Sequence, residues 1–211
     1  IPETIEIESI ADALPIVRKE IAATKKKKAV ERSSIDQRID YRWIDLRTDE
    51  NQLMFKAQSC FVNAMRKFLL DRNFIEIHTP KLIAAASESG SEVFKVDYFD
   101  RNAYLAQSPQ FYKQMAMAAG FERIFETGPV FRAEKSYTNK HSTEFSGFDL
   151  EFSYITSFKD VMKMEEELLT AGLQAVKDNY GDQIKELFGQ EVIVPTTPFP
   201  VVKLADLYKG L

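Results

Sequence analysis

Two segments in the second half of the chain, residues 124–134 and 145–154, predict strands, and the second alternates between apolar and polar side chains over most of its length. Alternation with a period of two is typical of β-strands that bury one face. The polar loop between the segments predicts that the two strands pair antiparallel. Such a pair, preceded and followed by helical patterns, favours an α+β fold over a winding of alternating parallel strands and helices.

A long amphipathic helix is predicted to begin after Thr48 or Asp49 and to end near Asn73. Its apolar stripe, with spacings of three and four residues, contains Leu53, Ala57, Cys60, Phe61, Ala64, Met65 and Phe68. Because Cys60 lies on this stripe, we interpret it as a small buried hydrophobic residue rather than a nucleophile.

The remaining pattern predicts further helices and strands before and after the strand pair. Ser157 and Asp160 have the spacing of a capping box and predict the start of a second long helix. The other predicted elements are a strand at 74–79 that ends at Pro80, a hairpin of 93–98 and 103–107 with a four-residue turn at 99–102, and a helix at 111–119.

The N-terminal part of the chain has a different character. Residues 4–10 alternate and predict a strand. Residues 18–47 contain ten Lys or Arg against five Asp or Glu and few large apolar side chains before Tyr41. A solvated linker, or a linker that also touches a phosphate backbone, accounts for this composition.

The composition excludes several classes of protein. One cysteine cannot form an internal disulfide, and two histidines with one cysteine cannot build a Cys/His zinc site. No apolar run approaches the length of a transmembrane helix, and the first residues lack the pattern of a signal peptide. The net charge of −4 argues against a chain that wraps nucleic acid over its whole surface.

The predicted strand pair carries an unusual set of polar side chains. If the polar faces of both strands coincide, they present an arginine, three carboxylates and an exposed aromatic ring: Val130, Arg132 and Glu134 from the first strand, and Phe145, Gly147, Asp149 and Glu151 from the second. A solvent-facing sheet with cross-strand ion pairs is one interpretation. A glycine in mid-strand often marks the close approach of a ligand, so a site for a flat phosphorylated ligand such as a nucleotide is the other.

These residues closely resemble a known sequence motif. Residues 128–134 and 141–151 resemble motif 2 of the class II aminoacyl-tRNA synthetases, and the aspartyl branch matches best. Further segments resemble other parts of that family: the long helix and strand up to Pro80 (motif 1, the dimer interface), 38–47 (the entry into the catalytic domain), 87–91 (a mobile substrate loop), 107–114 (the amino-acid pocket) and 3–15 (the last strand of the anticodon-binding OB domain).

The resemblance implies a class II synthetase catalytic domain, in which helices flank an antiparallel sheet. It also implies an aspartate–tRNA ligase activity, in which aspartate and ATP form aspartyl-adenylate and the aspartyl group passes to the 3′ end of the tRNA. The implied partners are L-aspartate, ATP, aspartate tRNA and a second copy of the chain joined through motif 1. The implied location is the cytoplasm.

The resemblance also implies roles for single residues. Arg132 is the expected catalytic residue and holds the α-phosphate of ATP, while Phe145 stacks on adenine. Glu134 is expected near the adenine or the tRNA end, and His141 near the outer phosphates. Since His141 lies in a polar loop, an ordinary surface histidine is the alternative.

In the implied aspartate pocket, Lys113 pairs with the β-carboxylate. Gln110 and Asp149 take the α-ammonium, and Ser87 and Glu88 close over it. Without the surrounding motif, a solvated helix lysine is the favoured interpretation of Lys113. A desolvated carboxylate needs a cation whereas an amide does not, so Lys113 favours aspartate over asparagine as the substrate.

The resemblance divides the chain into a remnant of the OB domain (1–17), a basic hinge (18–47) and the N-terminal part of the catalytic domain (48–211). The family's third motif and its Mg²⁺-binding acidic residues do not appear, so no metal ligand is expected within these residues, and we expect an inactive fragment. The alternatives are a related adenylate-forming asparagine synthetase and a non-catalytic paralogue that acts as an interaction module.

Overall fold

A computed structural model describes residues 4–6, 8–18, 31–86, 92–135, 138 and 140–209. The elements in these ranges are α1 (Ile35–Asp40), α2 (Arg42–Asp45), α3 (Asp49–Leu70), β1 (Ile75–Glu76), β2 (Leu82–Ile83), β3 (Lys95–Tyr98), β4 (Arg101–Leu105), α4 (Gln110–Ala118), β5 (Arg123–Phe131), β6 (Glu144–Phe152), α5 (Phe158–Phe188) and α6 (Leu204–Lys209). Helices accompany two small and mainly antiparallel sheets, which confirms the α+β prediction. None of the helices in the described ranges combines the length and apolar character needed to cross a bilayer.

The chain divides into two compact units. The first comprises Ile1–Phe61 and Val176–Ile193, and the second comprises Val62–Ala175 and Val194–Leu211. The long helices α3 and α5 each contribute residues to both units.

Two short helices of the first unit, α1 and α2, lie within the segment interpreted from sequence as a solvated linker. A capping box begins α1: Gln37 donates its backbone N–H to Ser34 Oγ, and Ser34 donates its own to Gln37 Oε1, both at 3.3 Å. The prediction of an N-terminal strand is wrong for residues 4–6 and 8–10, which form none. Alternation alone does not supply the neighbouring strand that a β-strand needs for its hydrogen bonds.

Asp45 is a fully buried charge within the first unit. Its carboxylate accepts hydrogen bonds from Arg42 at 2.5 Å and from the Asn51 amide at 3.1 Å, and it lies 3.4 Å from Arg32 and 3.5 Å from Arg38. Burial raises the pKa of Asp45, but Arg38, Arg42 and Arg32 lower it by more, so the net shift is downward. The ionised carboxylate therefore ties α1, α2 and the start of α3 together.

The helix ends agree with the capping predictions. Asn51 donates its backbone N–H to Thr48 Oγ1 at 3.4 Å where α3 begins, and Asn73 adopts a positive φ of 63° in the turn that follows α3. At the start of α5, Ser157 donates its N–H to Asp160 Oδ2 at 3.0 Å, as the capping box requires. Cys60 is half-buried on the apolar stripe of α3.

Two three-stranded sheets form the centre of the second unit. In one, β5 lies between β1, which is parallel to it, and β6, which is antiparallel to it. In the other, β4 lies between β2 and β3, and both pairs are antiparallel. Phe131 of β5 donates its N–H to the carbonyl of Ala106 at 2.9 Å and so joins β5 to the end of β4. The buried apolar residues of this unit are Met65, Leu69, Phe74, Ile83, Ala103, Ala106, Ile124, Phe125, Val130 and Leu168.

Three details of the second unit differ from the sequence predictions. The hairpin turn has two residues rather than four, because Tyr98 pairs with Arg101 and Phe99 takes a positive φ of 54°. The strand predicted at 74–79 is limited to β1. The apolar face of β6 is half-buried rather than buried, since it lines an open cleft of about 620 Å³ together with side chains of α3 and α5.

Candidate active site

The paired strands β5 and β6 provide the floor of the candidate site. Residues directly opposite one another in an antiparallel pair project to the same face of the sheet. The register therefore brings the polar faces together, as predicted, through the pairs Ile124–Glu151, Glu126–Asp149, Gly128–Gly147 and Val130–Phe145. Arg132 and Glu134 follow the end of β5 instead of lying within the strand.

One end of this face gathers the residues expected to bind ATP. The guanidinium carbon of Arg132 lies 5.6 Å from the centroid of the Phe145 ring. Together with Glu134 and His141, these residues line an open pocket of about 380 Å³. Arg132 Nε is buried and has no hydrogen-bond partner among the described residues. His141 Nδ1 lies 2.6 Å from the Thr138 hydroxyl oxygen.

The other end of the face is built around Lys113. This residue of α4 is only 5% exposed, so the interpretation as a solvated helix lysine is wrong. Its ammonium contacts the carboxylates of Asp149 and Glu151, the latter at 3.1 Å. Burial lowers the pKa of Lys113, but hydrogen bonds and charge from Asp149 and Glu151 raise it by more, and the net shift is upward. The cation is therefore permanent at neutral pH.

Between the two ends lies a small cleft of about 80 Å³. Of the predicted site residues, Arg132, Phe145 and Asp149 line it. Lys113 does not line the cleft directly and reaches it through Asp149. Gln110 begins α4 but is not among the lining residues, whereas its neighbours Gln107, Ser108 and Pro109 are.

An ion pair that sequence reasoning missed also lines this cleft. Glu126, which is 4% exposed, accepts hydrogen bonds from Lys81 Nζ at 2.8 Å, from the Thr79 hydroxyl at 2.7 Å and from the Thr79 N–H at 2.9 Å. Burial raises the pKa of Glu126, but the bonds from Lys81 and Thr79 lower it by more, and the carboxylate stays ionised. A glutamate that directly follows the apolar Ile124 and Phe125 in a predicted strand is the sequence signal that could have identified it.

Three further predicted residues are not placed in this site. Ser87 and Glu88 lie outside the described residues. Pro80, expected at a dimer interface, is exposed and lies between Thr79 and Lys81. Its predicted role concerns contact with a second copy of the chain and stays a prediction.

Comparison with known sequences identifies the family. The sequence model of the tRNA synthetases class II (D, K and N) matches residues 34–210. The chain belongs to this family. This confirms the resemblance drawn from motif 2.

Individual relatives of this class II synthetase chain carry more specific names. The aspartate–tRNA(Asp/Asn) ligase of Methanopyrus kandleri is 48% identical over 79% of the chain and 38% of its own length. The cytoplasmic aspartate–tRNA ligase of Caenorhabditis elegans is 44% identical over 84% of the chain and 34% of its own length. The chain thus spans between a third and two fifths of the length of these relatives.

Solved class II synthetase structures share the fold. The asparaginyl-tRNA synthetase of Pyrococcus horikoshii, complexed with asparaginyl-adenylate, superposes with a TM-score of 0.70 at 35% identity over 75% of this chain and 36% of that one. The aspartyl-tRNA synthetase of Entamoeba histolytica superposes with a TM-score of 0.65 at 37% identity over 79% of this chain and 31% of that one. The predicted class II synthetase fold is therefore confirmed.

Magnesium requires separate treatment, because the family implies it. The described residues contain no group of three or more Asp, Glu, His or Cys side chains arranged to hold a metal ion. Three carboxylates of the site, Glu126, Asp149 and Glu151, already pair with Lys81 or Lys113. The described residues therefore do not fit a Mg²⁺ ion.

Proposed function

We propose that the complete protein is an aspartate–tRNA ligase that activates L-aspartate with ATP and transfers it to the 3′ end of aspartate tRNA. One observation carries this proposal: the shared face of β5 and β6 has the buried ammonium of Lys113, from α4, against one end and the Arg132–Phe145 pair at the other. The names of the relatives support aspartate as the amino acid.

The first step joins the two substrates. An α-carboxylate oxygen of aspartate attacks the α-phosphorus of ATP, the bond from that phosphorus to the bridging oxygen breaks, and pyrophosphate leaves with the bonding electrons. In the second step a ribose hydroxyl at the tRNA end attacks the carbonyl carbon of the adenylate and loses its proton, and AMP leaves. Because no enzyme group forms a covalent bond with the substrate, catalysis depends on positioning of the reactants and on stabilisation of the charge that develops at the α-phosphate.

The nucleotide belongs at the Arg132 end. A guanidinium binds phosphate oxygens in a forked geometry, and it can offset the charge that develops at the α-phosphate during attack. Phe145 is 39% exposed, so one face of its ring is accessible for stacking on adenine. Glu134 and His141 line the same open pocket and are assigned to the adenine or tRNA end and to the outer phosphates.

The amino acid belongs at the Lys113 end. We assign the β-carboxylate of aspartate to Lys113 and the α-ammonium to Asp149, with Gln110, Ser87 and Glu88 completing the pocket. A buried cation stabilises a carboxylate, whereas an amide leaves that cation without a counter-charge, so this site favours aspartate over asparagine.

The proposal extends to partners and location. We assign dimer formation to motif 1, including Pro80, and place the protein in the cytoplasm, as the name of the Caenorhabditis elegans relative does for that protein. The residues 1–17 and 18–47 are assigned to the end of an anticodon-binding domain and to a basic hinge beside the tRNA.

The test is charging of tRNA with labelled aspartate by the complete gene product and by its Arg132→Ala variant. Removal of one charge-stabilising donor lowers kcat by roughly 100-fold or more. Arg101→Ala, in the exposed hairpin, is the matched control and leaves kcat unchanged. A kcat of Arg132→Ala within twofold of the wild type removes Arg132 from the mechanism.

Two other results point to different functions. Ammonia-dependent formation of asparagine without tRNA identifies an adenylate-forming asparagine synthetase. Absence of binding of ATP and of an aspartyl-adenylate analogue, measured by calorimetry on the complete protein, identifies a non-catalytic interaction module.

A further inference from the structure

Lys81 is a cation that lines the cleft itself and has no part in the mechanism described so far. Its ammonium donates to Glu126 Oε1 at 2.8 Å and to the Thr79 hydroxyl at 3.0 Å. A lysine ammonium has three donors, so these two partners leave one N–H for another acceptor. The side chain is 23% exposed and contributes to the wall of the 80 Å³ cleft.

The register places Lys81 between the two ends of the site. Lys113 contacts the carboxylates of Asp149 and Glu151. Lys81 contacts Glu126, which pairs with Asp149 in the register, and it lies beside Gly128, the next residue of β5 on the same face. Phe145 belongs to the following pair on the same face, with Val130, and Arg132 comes just after the end of β5. Residues two apart along a strand are separated by roughly 7 Å, so the position of Lys81 is near the middle of the site.

A pair of glycines creates space at this middle position. Gly128 and Gly147 lie opposite one another and leave the face without side chains there. A Cβ atom on Gly128 would lie 3.7 Å from Lys81 Cε and 3.9 Å from its Nζ. The ammonium therefore stands at the edge of the space that the two glycines leave open.

The substrate group expected beside Lys81 follows from the groups assigned to Lys113 and Arg132 at the two ends of the site. With the β-carboxylate of aspartate at Lys113 and the α-phosphate at Arg132, the α-carboxylate that joins them lies between. We propose that Lys81 is a further substrate-binding residue, which donates its remaining N–H to an oxygen of this α-carboxylate and holds it toward the α-phosphate. This assignment rests on the proposed function.

Glu126 and Thr79 fix the ammonium in this position. A lysine side chain on its own has several rotatable bonds and high conformational entropy. Two hydrogen bonds from Lys81 to buried or half-buried oxygen atoms restrict those rotations before the substrate arrives, which is the condition for a precise contact. Glu126 is therefore a positioning residue, because it acts through Lys81.

The first experiment is aspartate-dependent ATP–pyrophosphate exchange with the complete protein and its Lys81→Met variant. Loss of a charge-assisted hydrogen bond to a carboxylate lowers kcat/KM for aspartate by roughly 10- to 100-fold, with the KM for ATP within twofold of the wild type. Lys163→Met, an exposed lysine on α5, is the matched control and retains wild-type kinetics. An unchanged kcat/KM in Lys81→Met overturns the proposal.

A double variant separates substrate binding from structural support. Lys81→Met alone leaves Glu126 as an uncompensated buried carboxylate, and this can destabilise the fold. Lys81→Met combined with Glu126→Gln removes both charges and keeps an oxygen acceptor for Thr79. We expect the double variant to keep the low kcat/KM for aspartate; recovery of wild-type kinetics shows that Lys81 only neutralises Glu126 and overturns the proposal.

A measurement on the unsubstituted protein is independent of how the variants fold. Acetylation of Lys81, followed by mass spectrometry, is expected to slow at least tenfold when a non-hydrolysable aspartyl-adenylate analogue is bound, while Lys163 is labelled at the same rate. Equal labelling of Lys81 with and without the bound analogue overturns the proposal. If the wild type shows neither exchange nor binding of the analogue, the proposed function is refuted. If the wild type shows exchange and the Lys81 variants have the same kinetics, only the role of Lys81 is refuted.

Discussion

Replacement of Lys113 by methionine removes the buried ammonium from the proposed aspartate end of the site and keeps an apolar side chain of similar length. Lys113 is 5% exposed and shares its charge between Asp149 and Glu151. Its loss leaves the β-carboxylate of the proposed substrate without a cation beside Asp149 and Glu151. We expect weaker aspartate binding and little change in ATP binding.

The magnitude follows from this geometry. Truncation of one partner in a buried, hydrogen-bonded charge pair costs about 2–5 kcal/mol. The ammonium already pairs with Asp149 and Glu151, which are each 33% exposed, so its attraction for the substrate carboxylate is smaller than that of an unpaired cation. The lower half of that range applies, about 2–3 kcal/mol, which corresponds to roughly a 30- to 150-fold rise in the KM for aspartate. Phe145 lies four residues from Asp149 along β6, roughly 13 Å away, so the KM for ATP stays within twofold.

The assay is ATP–pyrophosphate exchange at varied aspartate and varied ATP with the complete protein. Lys67→Met is the control, because Lys67 is 74% exposed and pairs only at the surface with Asp71. A KM for aspartate within threefold of the wild type refutes the assignment of Lys113. An equal rise in both KM values indicates a general structural disturbance and contradicts the local argument.

Three further predictions concern other residues. Asp45→Asn lowers the free energy of unfolding by about 2 kcal/mol at pH 7, because it leaves three arginines that are still partly exposed without their buried counter-charge. Folding lowers the pKa of Asp45, so the difference in unfolding free energy between the wild type and Asp45→Asn is complete above about pH 3.9 and disappears as the pH falls through the lower pKa of the folded state. Denaturant unfolding at several pH values measures this difference, and a difference that persists in acid contradicts the prediction. Phe145→Leu raises the KM for ATP roughly 5- to 100-fold through lost stacking, whereas Phe99→Leu, at a 92% exposed position, has no effect in the same exchange assay. Gly147→Ala leaves the melting temperature unchanged, since its Cβ would meet Val130 at an ordinary 3.7 Å, but weakens binding of an aspartyl-adenylate analogue in calorimetry; unaltered affinity shows that the ligand does not approach this strand.

The strand pair could be predicted from sequence because its signal is local. Alternation within residues 147–154 identifies the faces of the second strand, and the period of two fixes which residues share a face in each strand. The observed register of β5 and β6 brings Asp149 and Glu151 to the same face as Val130, as the pattern indicated. The helix caps at Thr48 and Ser157 were predictable for the same reason, since a capping signal spans only a few residues.

The missed features depend on contacts between distant parts of the chain. Lys81 and Glu126 are separated by 45 residues, and no local pattern shows that they form an ion pair. The prediction of a strand is wrong at residues 4–6 and 8–10 for the converse reason: the alternation is a local signal, but a strand also needs a neighbouring strand that the local pattern does not supply. The two short helices around Asp45 were hidden by a basic composition that is typical of linkers, although the buried carboxylate offsets part of that charge.

The assignment of the site residues uses both local sequence motifs and contacts between distant parts of the chain. The resemblance to motif 2 supplied Arg132 and Phe145, and the structure places them beside one another. It also supplied Gln110, which does not line the cleft, whereas Gln107 does. Position in a motif identifies the segment that lines the cleft, whereas the folded conformation of that segment decides which of its residues face the cleft.

The most direct measurement is ATP–pyrophosphate exchange by the complete protein, with aspartate and asparagine assayed in parallel. The account predicts exchange with aspartate and at least 100-fold lower kcat/KM with asparagine, because the buried ammonium of Lys113 requires a carboxylate. Equal exchange with asparagine, or exchange with asparagine alone, contradicts the central claim that this cation selects the amino acid.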